Sequence, residues 1–148
     1  NPVYENVRQL RGNQPKLQFQ YLALRKEGKV GEYLKFYPEH KKEFALFRDQ
    51  MHRFTNTLFQ NYISCYIKKE KPLKEFPENF RTHMFNMHRI YIDELRIEKK
   101  YINHSFVVNF VNELPLTLQM YSLNFSMRQR KQDIITARME ESGIEATA

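Results

Sequence analysis

Apolar residues recur every three or four positions along most of this chain, which is the spacing of a helix that buries one face. The clearest repeat covers residues 41–69 and predicts one long central helix. Its predicted inward positions are Phe44, Phe47, Met51, Phe54, Leu58, Tyr62 and Cys65. At 1.5 Å per residue this helix would be about 43 Å long, so we expect it to form the spine of the domain.

Three shorter repeats precede the spine. They predict helices over residues 2–11, 15–27 and 30–37, with a glycine or a proline after each one. Glycine and proline at these points are typical of helix boundaries. The predicted inward positions of the second and third helices are Leu17, Tyr21, Leu24, Tyr33, Leu34 and Tyr37.

The segment after the spine is interrupted by prolines. Pro72 and Pro77 predict a loop, and Asn79 is the predicted N-cap of a helix that reaches about residue 98. The predicted buried positions of that helix are Phe80, Met84, Met87, Tyr91 and Leu95.

Two or three further elements complete the chain. Asn103 is the predicted N-cap of a helix that ends at Leu114-Pro115. The stretch FVVNFV within it could also form a strand, because β-branched and aromatic residues favour strands. Pro115 opens the next predicted helix, and a last amphipathic helix covers residues 126–141.

These repeats predict an all-α fold, an irregular helical bundle of about six to eight helices around one long central helix. The chain has only four glycines and six prolines, which favours helices over many short strands. Its 148 residues suffice for one domain, so we expect a single helical domain over residues 1–141 and a flexible tail over residues 142–148. Because the first residue is Asn1 rather than Met, we expect a C-terminal module of a larger protein.

Positive charge is concentrated in the first half of the chain. The net charge is +7, and residues 1–42 hold nine Lys and Arg against four Asp and Glu. A localised positive field indicates an anionic partner, with nucleic acid favoured over a membrane surface, although a basic surface can also serve solubility alone. No apolar run approaches the roughly 18 residues that span a bilayer.

The residue types needed for catalysis or metal binding do not form a recognisable set. His83 and His88 are five positions apart, which does not suit a metal pair on one helix face, and Cys65 falls on the predicted core stripe. No glycine-rich phosphate loop is present, so we predict no catalytic residue, no metal and no cofactor in this chain. A single cysteine indicates a reducing intracellular compartment, the cytoplasm or the nucleus.

Basic residues are the candidate functional groups, because phosphates are bound by Lys and Arg along one face. Near the start they alternate with aromatic residues such as Tyr21, which could stack on a base but also fits the core stripe of its helix. Later lysine pairs stand at predicted helix ends, where they could instead favour the helix dipole. The candidate nucleic-acid-binding residues are Arg8, Arg11, Lys16, Arg25, Lys26, Lys29, Lys68, Lys69, Lys99, Lys100, Arg128, Arg130 and Lys131.

The stretches NPVYENVRQLRGN and EYLKFYPEHKKEF resemble the segment that follows the last nucleotidyltransferase motif in some ATP-dependent RNA ligases. The resemblance covers about residues 1–45. The matching positions are Asn1, Pro2, Tyr4, Leu10, Arg11, Gly12, Glu32, Leu34, Tyr37, Pro38 and Glu39.

The resemblance implies that the catalytic lysine and the nucleotide-binding motifs lie upstream, in a separate nucleotidyltransferase domain that uses ATP and magnesium. This chain would then be an accessory C-terminal domain that binds RNA and positions it for that upstream domain. The alternative hypothesis is a protein-interaction or dimerisation module with no nucleic-acid role. That alternative predicts exposed apolar surface, for instance at VVNFV or LPLTLQMY.

Overall fold

The computed structural model describes the backbone of residues 14–141 and the side chains of residues 15–125 and 133–141. Over these residues the fold is all-α, as the hydrophobic repeats predict. Its helices are α1 (Gln14–Glu27), α2 (Val30–Phe36), α3 (Lys41–Tyr62), α4 (Glu78–Ile90), α5 (His104–Glu113) and α6 (Leu116–Glu141), with 3₁₀ turns at Pro38–His40 and Leu73–Glu75. The predicted helix over residues 2–11 and the predicted tail over residues 142–148 lie outside the described part.

Helix α3 is the spine of the bundle. The residues buried along it are Phe44, Phe47, Met51, Phe54, Leu58 and Tyr62, all of which the sequence predicts to face inward. After Tyr62 the helix continues as a π-helical turn, Ile63–Ile67, in which the Lys68 amide donates to the Ile63 carbonyl at 2.8 Å. Cys65 lies in this turn and is half-buried, and burial raises the pKa of its thiol.

Helix α4 runs parallel to α3. The Phe54 and Phe80 rings stack at 4.9 Å, and farther along the Tyr62 hydroxyl lies 3.0 Å from His88 Nδ1. Because both contacts join residues 26 positions apart, the two helices point in the same direction. Helix α4 also continues into a π-helical turn, Tyr91–Leu95.

The connector between α3 and α4 must therefore return from Ile67 to the level of Phe54, about the middle of the spine. It is fixed by Phe76, which is buried in the core. The Lys71 ammonium lies 4.4 Å from the centroid of the Phe76 ring, a cation–π contact that covers the outer side of the connector.

Asn79 does not cap α4, so that prediction is wrong. The N-cap residue is Pro77, and Asn79 is buried inside the helix. Its Nδ2 donates to the Ser122 carbonyl of α6 at 3.0 Å. A buried side-chain amide without a hydrogen-bond partner is costly. The bond to the Ser122 carbonyl supplies that partner for Asn79.

The stretch FVVNFV, for which the sequence allows a helix or a strand, is part of helix α5. Asn103 is its N-cap, as predicted, because the Phe106 amide donates to Asn103 Oδ1 at 2.8 Å. Val107 and Val111 then face the core. The helix ends at Leu114, in agreement with the predicted boundary.

Residues 116–141 form one helix, α6, where the sequence predicts two. Polar side chains hold it against the other helices. Asn124 Nδ2 donates to Gln18 Oε1 at 2.8 Å, and Gln18 Nε2 donates to Gln50 Oε1 at 2.7 Å. Gln50 Nε2 donates in turn to the Leu123 carbonyl at 3.1 Å. These bonds link α6 to α1 and α3.

A second polar contact joins α6 to α4. His83 Nε2 lies 2.8 Å from Ser122 Oγ, and both residues are buried. Burial lowers the pKa of His83, because a charged imidazole would lose its hydration there. Together with Asn79, Gln18, Gln50 and Asn124, this pair forms what we call the polar ladder.

The spine should dominate stability. We expect Leu58→Ala, which empties a fully buried site, to lower the free energy of unfolding by about 2–5 kcal/mol. Leu46→Ala on the same helix is the matched control, because Leu46 is 59% exposed and its loss should cost less than about 0.5 kcal/mol. Urea denaturation measures both, and equal losses would contradict this assignment of the core.

His83 should make stability depend on pH. Its unfolded pKa is near 6.5 and its folded pKa is lower, so below about pH 6.5 the unfolded chain binds the proton first. The free energy of unfolding should therefore fall as the pH drops from about 7 towards the folded pKa. Urea titrations at several pH values should give a shallower fall for His83→Gln than for the parent chain. An unchanged slope would contradict a neutral, buried imidazole.

Candidate nucleic-acid interface

The predicted basic residues whose side chains the structure describes fall at opposite ends of the spine and do not form one continuous track. Helix α1 runs antiparallel to α3, because Gln18 bonds to Gln50 while Tyr21 contacts Phe44. The C-terminus of α1 therefore lies beside the first turn of α3, which we call the proximal end. The other end of α3 and α4 is the distal end. Residues 41–67 separate the two by about 40 Å.

At the proximal end, Arg25 and Lys26 form hydrogen bonds to other helices of the same chain. Arg25 donates to the Tyr21 hydroxyl at 3.4 Å and to Asn112 Oδ1 at 3.3 Å. Lys26 Nζ donates to the Leu114 carbonyl at 2.7 Å. A cation beside the last carbonyls of α5 also compensates the helix dipole. Both residues therefore join α1 to the C-terminus of α5.

Gln119 completes this junction. It is buried, and its Nε2 donates to the carbonyls of Val111 at 2.9 Å and Leu114 at 3.2 Å. A cleft of about 200 Å³ lies beside the junction and is lined by Leu22, Arg25, Lys26, Asn112, Glu113 and Gln119. Because Glu113 shares the lining with the two cations, the cleft is not uniformly positive.

The other two proximal candidates lie on the surface. Lys29 Nζ is 3.7 Å from Glu27 Oε2, an exposed ion pair. Lys16 lines a cleft of about 230 Å³ with Leu17, Gln20 and His40.

Tyr21 belongs to the core. It is only 4% exposed, and its ring packs edge-on against Phe44 at 5.2 Å. Of the two interpretations left open by the sequence, the core stripe is therefore correct, and this ring is not available to a base.

Two lysine pairs that are far apart in sequence follow the distal ends of the parallel helices α3 and α4. Lys69 and Lys99 both have left-handed backbone conformations, with φ of 53° and 60°, and each ends its helix. Lys100 Nζ pairs with Glu98 at 3.1 Å. Within the described residues, the ammonium groups of Lys68, Lys69 and Lys99 take part in no hydrogen bond or ion pair.

Stacked rings support this end of the bundle. Tyr66 and His88 stack at 4.0 Å, and Tyr91 also stacks with His88, at 5.8 Å. Burial, reinforced by the neighbouring Tyr91, raises the pKa of Tyr62 to about 12, so its hydroxyl keeps its proton and its bond to His88. The sequence pattern places Tyr62 and Tyr91 on the inward faces of two separate helices, but it does not show that these helices pack in parallel.

Tyr37 does not face inward, so that prediction is also wrong. It is 47% exposed. Helix α2 ends one residue earlier, at Phe36, and Tyr37 has φ −130° and ψ 63°. A residue before proline avoids the helical region, so Pro38 was the signal that Tyr37 would leave the helix.

Five candidates are not located by the described side chains. Arg128, Arg130 and Lys131 lie within the α6 backbone, but their side chains are outside the described part. Arg8 and Arg11 lie outside it altogether.

Among the described residues, no group of three His, Cys, Asp or Glu side chains is placed to hold a metal ion. The helices in that part of the chain are also too short or too polar to cross a bilayer. Comparison of the sequence and the fold with known protein families, curated proteins and solved structures finds no significant match.

Arg25 and Lys68 should respond differently to substitution. Arg25→Ala should lower the free energy of unfolding by about 1 kcal/mol, because it removes bonds between α1 and α5. Lys68→Ala should change it by less than about 0.5 kcal/mol, since its side chain is exposed and unpaired. Chemical denaturation of the two variants checks this, and equal stability would show that Arg25 does not hold the junction.

Proposed function

We propose that this chain is an accessory RNA-binding domain that positions an RNA substrate for the upstream nucleotidyltransferase domain of an RNA ligase. The observation that supports the RNA-binding part is the position of Lys68-Lys69 and Lys99-Lys100, because each pair follows the distal end of one of the parallel helices α3 and α4. The ligase part is supported by the motif resemblance over about residues 1–45. ATP and magnesium would be handled by the upstream domain.

The proposed mechanism is electrostatic and positional. Each lysine offers a flexible point charge that can neutralise one phosphate and release its counterion. Such contacts fix where the RNA backbone lies but do not read its sequence. Because Lys68, Lys69 and Lys99 are not used by the described part of the fold, binding phosphate requires no internal contact to break.

The fold does not favour the alternative hypothesis, a protein-interaction or dimerisation module that exposes the VVNFV or LPLTLQMY segment. Val107 and Val111 of the VVNFV segment are buried, and so is Gln119 of LPLTLQMY. Leu118 is exposed, but a single leucine is ordinary on a protein surface.

RNA affinity should depend on the distal lysines and on salt. We expect the triple variant Lys68→Ala, Lys69→Ala, Lys99→Ala to bind single-stranded RNA more weakly than the parent chain at low salt. The slope of log affinity against log salt concentration should become shallower by about 2, since three single-strand phosphate contacts contribute roughly 0.7 each. Fluorescence anisotropy at several salt concentrations measures both quantities.

The matched control removes the same charge from elsewhere on the surface. Arg48, Arg53 and Lys74 are all exposed, and their replacement by Ala also lowers the net charge by three. This control should bind RNA more tightly than the distal triple variant. If the two triple variants lose the same RNA affinity, the loss follows from net charge and not from the distal lysines. If the parent chain shows no salt-dependent RNA binding, the proposed function is overturned.

A further inference from the structure

An exposed tyrosine ends a stack of aromatic side chains at the proximal end. The Tyr37 ring lies 4.7 Å from the Tyr33 ring with an interplanar angle of 25°. Tyr33 in turn stacks on Phe44 at 5.3 Å and 14°. Phe44 is buried in the core while Tyr37 is 47% exposed, so the stack leads from the core to the surface.

This stack is held in place by hydrogen bonds. The Tyr33 hydroxyl lies 2.8 Å from His40 Nδ1, and the His40 ring is within 11° of parallel to Tyr37. The Tyr37 amide donates to the Tyr33 carbonyl at 3.0 Å, and Pro38 restricts the backbone that follows. A ring that is already fixed loses little conformational freedom when a ligand stacks on it.

The surroundings of the stack carry a modest positive charge. Residues 29–42 contain four lysines against two glutamates. Lys35, Lys41 and Lys42 are exposed, and Lys16 lines the cleft of about 230 Å³ beside His40. A fixed aromatic face next to basic side chains is the arrangement by which proteins bind single-stranded nucleic acid.

We propose that Tyr37 is a stacking platform for an unpaired base, with the neighbouring lysines contacting the strand on either side. This inference rests on the proposed RNA-binding function and specifies its substrate as RNA with single-stranded nucleotides. In a duplex the bases are stacked on one another and do not offer a free face. Tyr37 takes the role that Tyr21, enclosed in the core, cannot perform.

The test compares base-dependent binding in three variants of the full chain. The parent chain should bind a single-stranded RNA octamer more tightly than the same octamer with abasic central positions. Tyr37→Ala should lose about five- to 150-fold in affinity for the octamer with bases, and little for the abasic one. Tyr37→Phe keeps the ring and should bind as the parent chain does.

Phe85→Ala is the matched control, because Phe85 is 48% exposed on α4 and lies outside the stack. It should keep the preference for bases over abasic positions. If Tyr37→Ala also keeps that preference while the parent chain binds RNA, the platform is refuted and the proposed function stands. If the parent chain binds neither octamer at any salt concentration, the proposed function itself fails. Circular dichroism of each variant separates these outcomes from unfolding.

Discussion

The position of α6 depends on the polar ladder and on Gln119. Gln119, Ser122 and Asn124 are all buried on the inner side of this helix, where an unpaired polar group would be costly. Each one finds a specific partner on α1, α4 or the end of α5. A shift of α6 by one residue would move each of these groups by 1.5 Å and about 100°, and would leave buried donors and acceptors unpaired. An apolar face alone would tolerate such sliding more readily. These bonds therefore fix the register of α6, and those of Gln119 also hold the junction at which Arg25 and Lys26 join α1 to α5.

The spine and the fold class could be predicted because large apolar residues at helical spacing leave few alternatives. The large apolar residues at helical spacing from Phe44 to Tyr62 are buried as that spacing indicates, and Asn103 caps α5 by accepting a bond from the nearby Phe106 amide. Asn79, like Asn103, is an asparagine just before a run of apolar residues at helical spacing, but its side chain donates to the Ser122 carbonyl, 43 positions away. The local sequence pattern gives no information about a partner so distant in sequence.

The candidate site was less predictable for the same reason. Periodicity shows which face of a helix is buried, but not which helix covers it or in which direction that helix runs. The direction of α4 is set by the path of the connector, which Phe76 fixes in the core. Had α4 run antiparallel, Lys99 would lie at the opposite end from Lys69. Conversely, the basic residues of α1 look like a surface track in the sequence, and only the contacts of Arg25 and Lys26 reveal that they hold α5.

Parallel packing of α3 and α4 has a consequence for the electric field at the distal end. Two helix C-termini lie side by side there, and each contributes the equivalent of roughly half a negative charge. Without lysines this end of the bundle would be electronegative and would repel a phosphate. Lys68, Lys69, Lys99 and Lys100 place positive charge beside these negative helix ends, although Lys100 is paired with Glu98. Neutralising these side chains, for example by acetylation, would leave the two helix ends without that compensation.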